Sequence, residues 1–256
     1  MQLTDTHTHL YATQFDEDRD EMITKCFDNN ITRLFLPNID QTSVKGMLDL
    51  VEKYPENCFP MIGIHPCSVN ENWEEELAEY VELLKNQKFY AIGEIGIDLY
   101  WDKSTLGIQQ KAFEAQIILA KKEKLPIVIH ARDSFDEIFE IVDKHNDEDL
   151  TGIFHCFTGT IEQANKIINY NGFKIGIGGV VTFKNAGLDK VVAQIPMKHL
   201  VVETDSPYLA PHPNRGKRNE SSYLSLIAEK IADLHGISNE KVAEITTENS
   251  REVFGI

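Results

Sequence analysis

The sequence predicts an α/β fold and, within that class, a TIM (β/α)8 barrel. Short β-branched or apolar segments alternate with longer amphipathic segments, a pattern typical of repeated βαβ units around a parallel sheet. Eight such units within 256 residues favour a closed barrel over an open doubly wound sheet, which stays the architectural alternative. We expect residues 1–256 to form a single domain.

The predicted strands are short and mostly apolar. They cover residues 3–9, 31–37, 59–65, 89–94, 126–130, 152–155, 173–178 and 200–205. Helical periodicity follows each strand, at about 16–29, 41–53, 74–86, 106–124, 134–145, 161–171 and 185–194, and then at 222–235 and 239–253. The segment 206–220 contains three prolines and a glycine, which predicts a long ordered loop.

Composition excludes several classes of protein. The net charge of −16 argues against non-specific affinity for nucleic acid or anionic membranes, although a metal site can reverse the sign locally. The four cysteines form no Cys-x-x-Cys pair, so we expect free thiols in a reducing compartment. No signal segment and no apolar run of roughly 20 residues is found. We therefore expect a cytoplasmic protein without a membrane partner, and nothing indicates an obligate protein partner.

Polar side chains stand at the carboxyl ends of the predicted strands. In a barrel of parallel strands these ends converge on one rim, where the active sites of this architecture lie. Seven residues that are costly to bury occupy such positions: His7, His9, His65, Glu94, His130, His155 and Asp205. A shared function explains this set better than seven separate structural roles.

The residue types at this rim predict a metal site. His7 and His9 are two residues apart, so a strand directs both imidazoles to the same face. A ligand set of nitrogen and oxygen suits Zn²⁺, Mn²⁺, Mg²⁺ or similar ions. Four neutral imidazoles and two carboxylates contribute −2, and two divalent cations would leave the site near +2, which favours an anionic substrate. Six protein ligands for two ions leave positions open for water and substrate.

Several motifs resemble those of the TatD family of metal-dependent hydrolases. They are Asp-Thr-His-Thr-His-Leu at 5–10, Gly-Ile-His-Pro at 63–66, Gly-Glu-Ile-Gly-Ile-Asp at 93–98, Ile-His-Ala-Arg-Asp at 129–133, Phe-His-Cys-Phe-Thr-Gly at 154–159, Glu-Thr-Asp-Ser-Pro-Tyr-Leu-Ala-Pro at 203–211 and Arg-Gly-Lys-Arg-Asn at 215–219. The resemblance covers the whole chain. It implies an amidohydrolase-like barrel with deoxyribonuclease or related phosphoesterase activity.

The resemblance also implies a role for each strand-end residue. The ligands of a first metal would be His7, His9 and Asp205, and those of a second metal His130 and His155. Glu94 would bridge the two ions. His65 stands where the family places a histidine that faces the scissile phosphate.

Three of these residues are predicted to act in catalysis. Asp205 is the candidate that orients the attacking water and accepts its proton, with Glu94 ionised between two cations. His65 would bind the phosphate or protonate the leaving alkoxide, and its alternative role is that of a turn histidine before Pro66. Asp5 and Asp98 are candidates to orient ligating histidines through hydrogen bonds.

Basic and aromatic residues near the rim are candidates for substrate binding. Arg132 would bind a phosphate, unless it pairs with Asp133. Arg215 belongs to a basic group with Lys217 and Arg218 that either contacts a nucleic-acid backbone or fixes its own loop by ion pairs. Tyr100 and Trp101 would stack on a base, or pack within their loop.

These observations predict a metal-dependent hydrolase that acts on ester bonds, with DNA or another phosphodiester as substrate. An amidohydrolase or deacylase acting on a small carbonyl compound is the alternative, because the same fold and metals serve both reactions. A binding protein with structural metals is a third reading, which the open coordination positions disfavour.

Overall fold

The computed structural model describes residues 2–256, which form eight β-strands and nine α-helices. The strands are β1 Leu3–Asp5, β2 Ile31–Pro37, β3 Cys58–Met61, β4 Ile92–Asp98, β5 Ile127–Arg132, β6 Gly152–Phe154, β7 Phe173–Ile177 and β8 Leu200–Val202. The helices are α1 Arg19–Asp28, α2 Gln41–Lys53, α3 Trp73–Asn86, α4 Leu106–Glu123, α5 Phe135–His145, α6 Ile161–Asn169, α7 Leu188–Val192, α8 Leu224–His235 and α9 Asn239–Phe254.

The strands follow one another around a ring in the order of the sequence. One parallel ladder runs in the order β1-β2-β3, and a second runs in the order β4-β5-β6-β7-β8. Single parallel bridges connect the two groups, between Ile62 and Ile92 on one side and between Thr8 and Ser206 on the other. The backbone N–H of Asp205 donates to the carbonyl of His7 at 2.9 Å, next to the second bridge. The barrel prediction is confirmed, because a doubly wound sheet would reverse its strand order.

Several strands are shorter than the sequence predicts. β1 ends at Asp5 instead of residue 9, and β8 ends at Val202 instead of residue 205. β4 runs four residues further than expected, to Asp98. The backbone leaves the regular ladder where polar side chains turn toward the mouth, and Asp205 itself has a left-handed φ of 56°. The local pattern of apolar residues does not reveal where a ladder ends.

The lower half of the barrel interior is filled with apolar side chains. Each side chain alternates with one that faces the helices, as strand geometry requires. This floor cluster consists of Phe35, Phe59, Met61, Ala91, Val128, Ile153 and Val201 from the strands and Val253 and Phe254 from α9. The Phe254 ring stacks on Phe35 with 3.7 Å between ring centroids. The end of the last helix therefore closes the bottom of the barrel.

The helices cover the outside of the barrel with their apolar faces. In α5, for example, Ile138, Phe139, Ile141 and Val142 are buried and the charged residues face outward, as expected for an amphipathic helix. Among residues 2–256, no helix combines the length and the apolar character that a membrane crossing requires.

Candidate metal centre

The polar strand-end residues meet directly above the floor cluster. Val128 and His130 lie two residues apart on β5, and Ile153 and His155 have the same spacing at β6. Side chains two apart point to the same side of a strand, so each apolar floor residue is followed by a polar residue facing the mouth. The structure brings together all seven predicted residues, namely His7, His9, His65, Glu94, His130, His155 and Asp205.

The Glu94 carboxylate lies at the middle of this group, and its two oxygens face different imidazoles. Oε2 is 3.1 Å from Nε2 of His7. Oε1 is 2.7 Å from Nδ1 of His130, 2.8 Å from Nε2 of His155 and 3.4 Å from Nε2 of His65. One carboxylate thus connects two separate sets of nitrogen donors.

The first donor group consists of the Nε2 atoms of His7 and His9, Oε2 of Glu94 and Oδ1 of Asp205. The two nitrogens are 3.3 Å apart, Oε2 is 3.1 and 3.7 Å from them, and Oδ1 is 3.7 and 3.6 Å from them. Donor atoms at these distances converge on one point, and two imidazoles with two carboxylates are ligand types of zinc and other first-row divalent ions. These residues fit a first-row divalent cation.

The second donor group consists of Oε1 of Glu94, Nδ1 of His130 and Nε2 of His155. The two nitrogens are 3.5 Å apart, and each lies within 2.8 Å of the carboxylate oxygen. Three protein donors leave coordination positions for water or substrate, as in catalytic sites. The His65 ring stands beside His130, with 4.6 Å between ring centroids, and borders that open side.

Neighbouring groups favour the cation-binding forms of Glu94, Asp205 and His7. Burial opposes ionisation of Glu94, but the imidazoles of His155, His65 and His7 outweigh it and hold the pKa of Glu94 well below its usual range. Burial likewise opposes ionisation of Asp205, yet the hydrogen bond from His9 and the nearby His7 leave its pKa lowered. Burial and the neighbouring His155 lower the pKa of His7, which favours the neutral imidazole that metals bind. At His155, burial lowers the pKa but the anion of Glu94 outweighs it and raises the pKa, so a cation must displace a proton there.

Two imidazoles of the donor groups have a hydrogen-bond partner on the side away from Glu94. Asp98, predicted for this role, lies 2.8 Å from Nε2 of His130, while the Tyr11 hydroxyl lies 2.8 Å from Nδ1 of His9. Burial opposes ionisation of Asp98, but the bond from His130 lowers its pKa to about 2. Asp5 instead accepts hydrogen bonds from Thr204 and from the His7 backbone, so it holds the chain rather than an imidazole.

Sequence reasoning missed two residues at this centre, Tyr11 and Glu203. Glu203 is fully buried, and its Oε1 lies 3.4 Å from Nδ1 of His155. Strand alternation contained the necessary signal, because residues 201, 203 and 205 share the interior face. No comparable signal marks Tyr11, which lies beyond β1 in a turn.

A cleft of about 620 Å³ opens above the donor groups. Arg132 lines it, with the guanidinium 3.7 Å from the Tyr100 ring centroid and 5.6 Å from that of Trp101. Within residues 2–256, no carboxylate reaches ion-pair distance of Arg132, so the alternative pairing with Asp133 is not formed. Large apolar side chains stand exposed around the cleft, namely Tyr100, Trp101, Tyr208 and Leu209.

The basic residues of the loop after β8 do not line this cleft. Arg218 donates two hydrogen bonds to Asp18, at 2.8 and 2.5 Å, and its guanidinium covers the Phe15 ring. The Arg215 guanidinium lies 4.5 Å from the Phe183 ring centroid. The structure therefore brings Arg132, but not Arg215, to the cleft, and Arg218 fixes its own loop.

Comparisons with known proteins show the family of the chain. The family model described as TatD related DNase matches residues 4–255. The uncharacterized metal-dependent hydrolase YabD of Bacillus subtilis is 43% identical over 255 residues, covering 99% of each chain. The 3'-5' ssDNA/RNA exonuclease TatD of Salmonella typhimurium is 32% identical, covering 98% of both chains. The crystal structure of YJJV, a TatD homologue from Escherichia coli, superposes with a TM-score of 0.93 at 25% identity, covering 99% and 98% of the two chains.

Proposed function

The chain belongs to the TatD related DNase family and is a metal-dependent hydrolase; we propose that it hydrolyses phosphodiester bonds in nucleic acid, with DNA the leading substrate. One observation carries the proposal. The two oxygens of Glu94 face separate sets of imidazoles at the base of a cleft that is bordered by Arg132 and exposed aromatic rings. A metal centre at the bottom of the cleft suits a phosphate group. Exposed aromatic rings at its border suit the nucleobases next to that phosphate.

We assign two divalent ions to this centre. His7, His9 and Asp205 would hold the first, His130 and His155 the second, and Glu94 would bridge them. When bound, such ions lower the pKa of water toward neutrality and polarise a phosphoryl oxygen. The two imidazoles of the first donor group support Zn²⁺ or another first-row ion over Ca²⁺, which binds oxygen ligands.

The protein's own residues then bind and orient the substrate. Asp205 would hold the attacking water and accept its proton. Its side chain is partly exposed to the cleft, and the hydrogen bond from His9 favours its ionised form, which supports this role. His65 borders the open side of the second donor group, where it would donate to a phosphate oxygen or to the leaving alkoxide.

Arg132 supports a phosphate substrate over a small amide. Its guanidinium is stacked on Tyr100 and has no carboxylate partner among residues 2–256, so it is available to an anion at the cleft. Trp101 is 73% exposed on the same rim, where an unpaired base could stack on it. A small neutral amide would use neither group. The proposed role of Arg215 in substrate binding stays a prediction.

A hydrolysis panel tests the proposed function. Metal-depleted protein is given Mg²⁺, Mn²⁺ or Zn²⁺ in turn and assayed on single-stranded DNA, duplex DNA, RNA, methyl p-nitrophenyl phosphate and N-acetylated amino acids. We expect metal-dependent cleavage of the nucleic acids and slower cleavage of the small diester. Turnover of the amides alone would establish the deacylase alternative instead.

A variant pair ties the activity to the proposed site. We expect Asp205→Asn to lower turnover at least 10³-fold, because the amide neither carries the charge nor accepts the proton. Asp49→Asn, an exposed position on α2, is the matched control and should keep full activity. Full metal-stimulated turnover in Asp205→Asn would contradict the assigned role.

A further inference from the structure

Glu203 has an unusual position for a residue outside both donor groups. It projects from the end of β8 into the barrel, between Val201 in the floor cluster and Asp205 at the mouth, and it is fully buried. Its Oε1 accepts a hydrogen bond from the backbone N–H of Cys156, and Oε2 has no hydrogen-bond partner. A buried carboxylate is costly unless its charge is compensated, so this position calls for a function.

His155 lies between this carboxylate and Glu94. Its Nε2 is 2.8 Å from Oε1 of Glu94, and its Nδ1, on the other side of the ring, is 3.4 Å from Oε1 of Glu203. Nδ1 is buried and has no other partner among residues 2–256. A buried donor and a buried acceptor that face each other at this distance relieve each other's desolvation cost when they bond.

The protein makes room for Glu203 by means of a glycine. A Cβ atom at Gly176, in the adjacent strand β7, would lie 2.9 Å from Cδ of Glu203 and closer still to its Oε2. A Cβ at Gly178 would come no closer than 3.8 Å, which is ordinary van der Waals contact. The hollow at Gly176 thus matches the carboxylate of Glu203.

We propose that Glu203 is a positioning residue that keeps the proton of His155 on Nδ1 and thereby directs Nε2 to the second donor group. A carboxylate behind a ligating imidazole fixes the orientation of the ring and strengthens it as a ligand. Asp98 has the equivalent position behind His130. Each imidazole of the second donor group therefore has a carboxylate of its own.

The His155 ring behind which Glu203 lies also touches the first donor group. The His155 ring is stacked on His7, with 3.8 Å between centroids and 8° between planes. Glu203 is not itself a ligand in this arrangement, because the His155 ring separates it from Glu94. The inference rests on the ligand assignment proposed above, but not on the identity of the substrate.

Stepwise Zn²⁺ binding, measured by competition with a chromophoric chelator, tests the inference without any substrate. His130→Ala first identifies which of the two binding steps belongs to the second donor group. We expect Glu203→Gln to weaken that same step by about 10–100-fold and the other step less than threefold. Equal affinities in Glu203→Gln and the unaltered protein would overturn the positioning role, as would an equal loss at both steps.

Two glycine variants test whether the location of the Glu203 carboxylate matters when the residue itself is unchanged. Gly176→Ala should weaken the same Zn²⁺ step because it displaces an intact Glu203, while Gly178→Ala should leave both steps unchanged. In a Glu203→Ala background, Gly176→Ala should weaken that step less than it does in the unaltered protein, because the carboxylate is gone and only the contact of the new Cβ with Cα of His155, at 3.1 Å, remains. Additive effects of the two substitutions would contradict the inference.

The Nδ1 proton of His155 in the Zn²⁺-loaded protein gives a second readout. A long-range ¹H–¹⁵N spectrum should show Nδ1 protonated, and Glu203→Gln should move that proton upfield because it loses its carboxylate acceptor. An Nδ1 proton signal that the substitution leaves unchanged would overturn the proposal. If the unaltered protein binds only one Zn²⁺, the two-metal assignment fails instead, and the two failures are therefore distinguishable.

Discussion

The barrel interior has two halves that are built by the same strands and differ in chemistry. In the floor cluster, Val128 and Ile153 belong to the same buried apolar group as Phe254. Two residues further along the same strands, His130 and His155 face a carboxylate. Strand alternation determines which residues point into the barrel. Their position along the strand determines whether they pack in the apolar floor cluster or face the mouth. The floor cluster stabilises the ring of strands, and this ring holds the polar side chains of the mouth in fixed positions.

The largest expected effect separates the mouth from the floor. Glu94→Gln should lower kcat/KM at least 10³-fold, because one substitution removes a shared anionic ligand from both donor groups. Thermal unfolding, followed by circular dichroism in the presence of a chelator, should stay cooperative. A variant that fails to fold would mean that the mouth, like the floor, is needed for stability.

The second effect has the opposite pattern. Phe254→Ala should lower the free energy of unfolding by about 3 kcal/mol, because it opens a cavity beneath Phe35. The kcat of the folded fraction should remain within twofold, since Phe254 contacts no residue of the donor groups. Phe254→Leu, which keeps most of the apolar volume, is the matched control and should lose less than half as much in urea titrations. A large loss of kcat in both variants would show that the halves are coupled.

The smallest effect sharpens the comparison within the mouth itself. Trp101→Ala should raise KM for single-stranded DNA roughly tenfold, in keeping with the loss of one stacked base, and leave kcat unchanged. Methyl p-nitrophenyl phosphate, which carries no base, should respond less than threefold. Ile118→Ala removes an apolar side chain that is also exposed, on α4, and should change neither substrate. Equal changes for both substrates would argue against base stacking.

The sequence predicts the barrel well because its information is local. Alternating strands and amphipathic helices specify βαβ units, and the regular right-handed connection of these units leaves few topologies. The strand ends were predicted less accurately, as β1 and β8 illustrate, because the ladder ends where tertiary contacts at the mouth replace it. The pattern of apolar residues does not indicate where contacts at the mouth replace the hydrogen bonds of the ladder.

The candidate site also contains residues that the sequence predicts and residues that it does not predict. Residues that follow an apolar strand, such as His130 and Asp205, are recognisable from the sequence because their polarity contradicts their surroundings. Partners from distant segments are not: Asp18 pairs with Arg218 across 200 positions, and no pattern near Arg218 anticipates it. Glu203 lies between these cases, since strand alternation indicates its direction but not the imidazole it meets.

The seam between β8 and β1 has a consequence for how the protein is made. Hydrogen bonds across it join residues 196 positions apart in the chain, and the same seam holds His7 and His9 beside Asp205. Contacts so distant along the chain form late, because the entropy of closing a long loop must be overcome first. During translation, His7 and His9 are synthesised well before Asp205, and β1 can pair with β2 long before it pairs with β8. The first donor group proposed above would therefore be complete only after β8 has joined β1, which would make metal binding there a late step of folding.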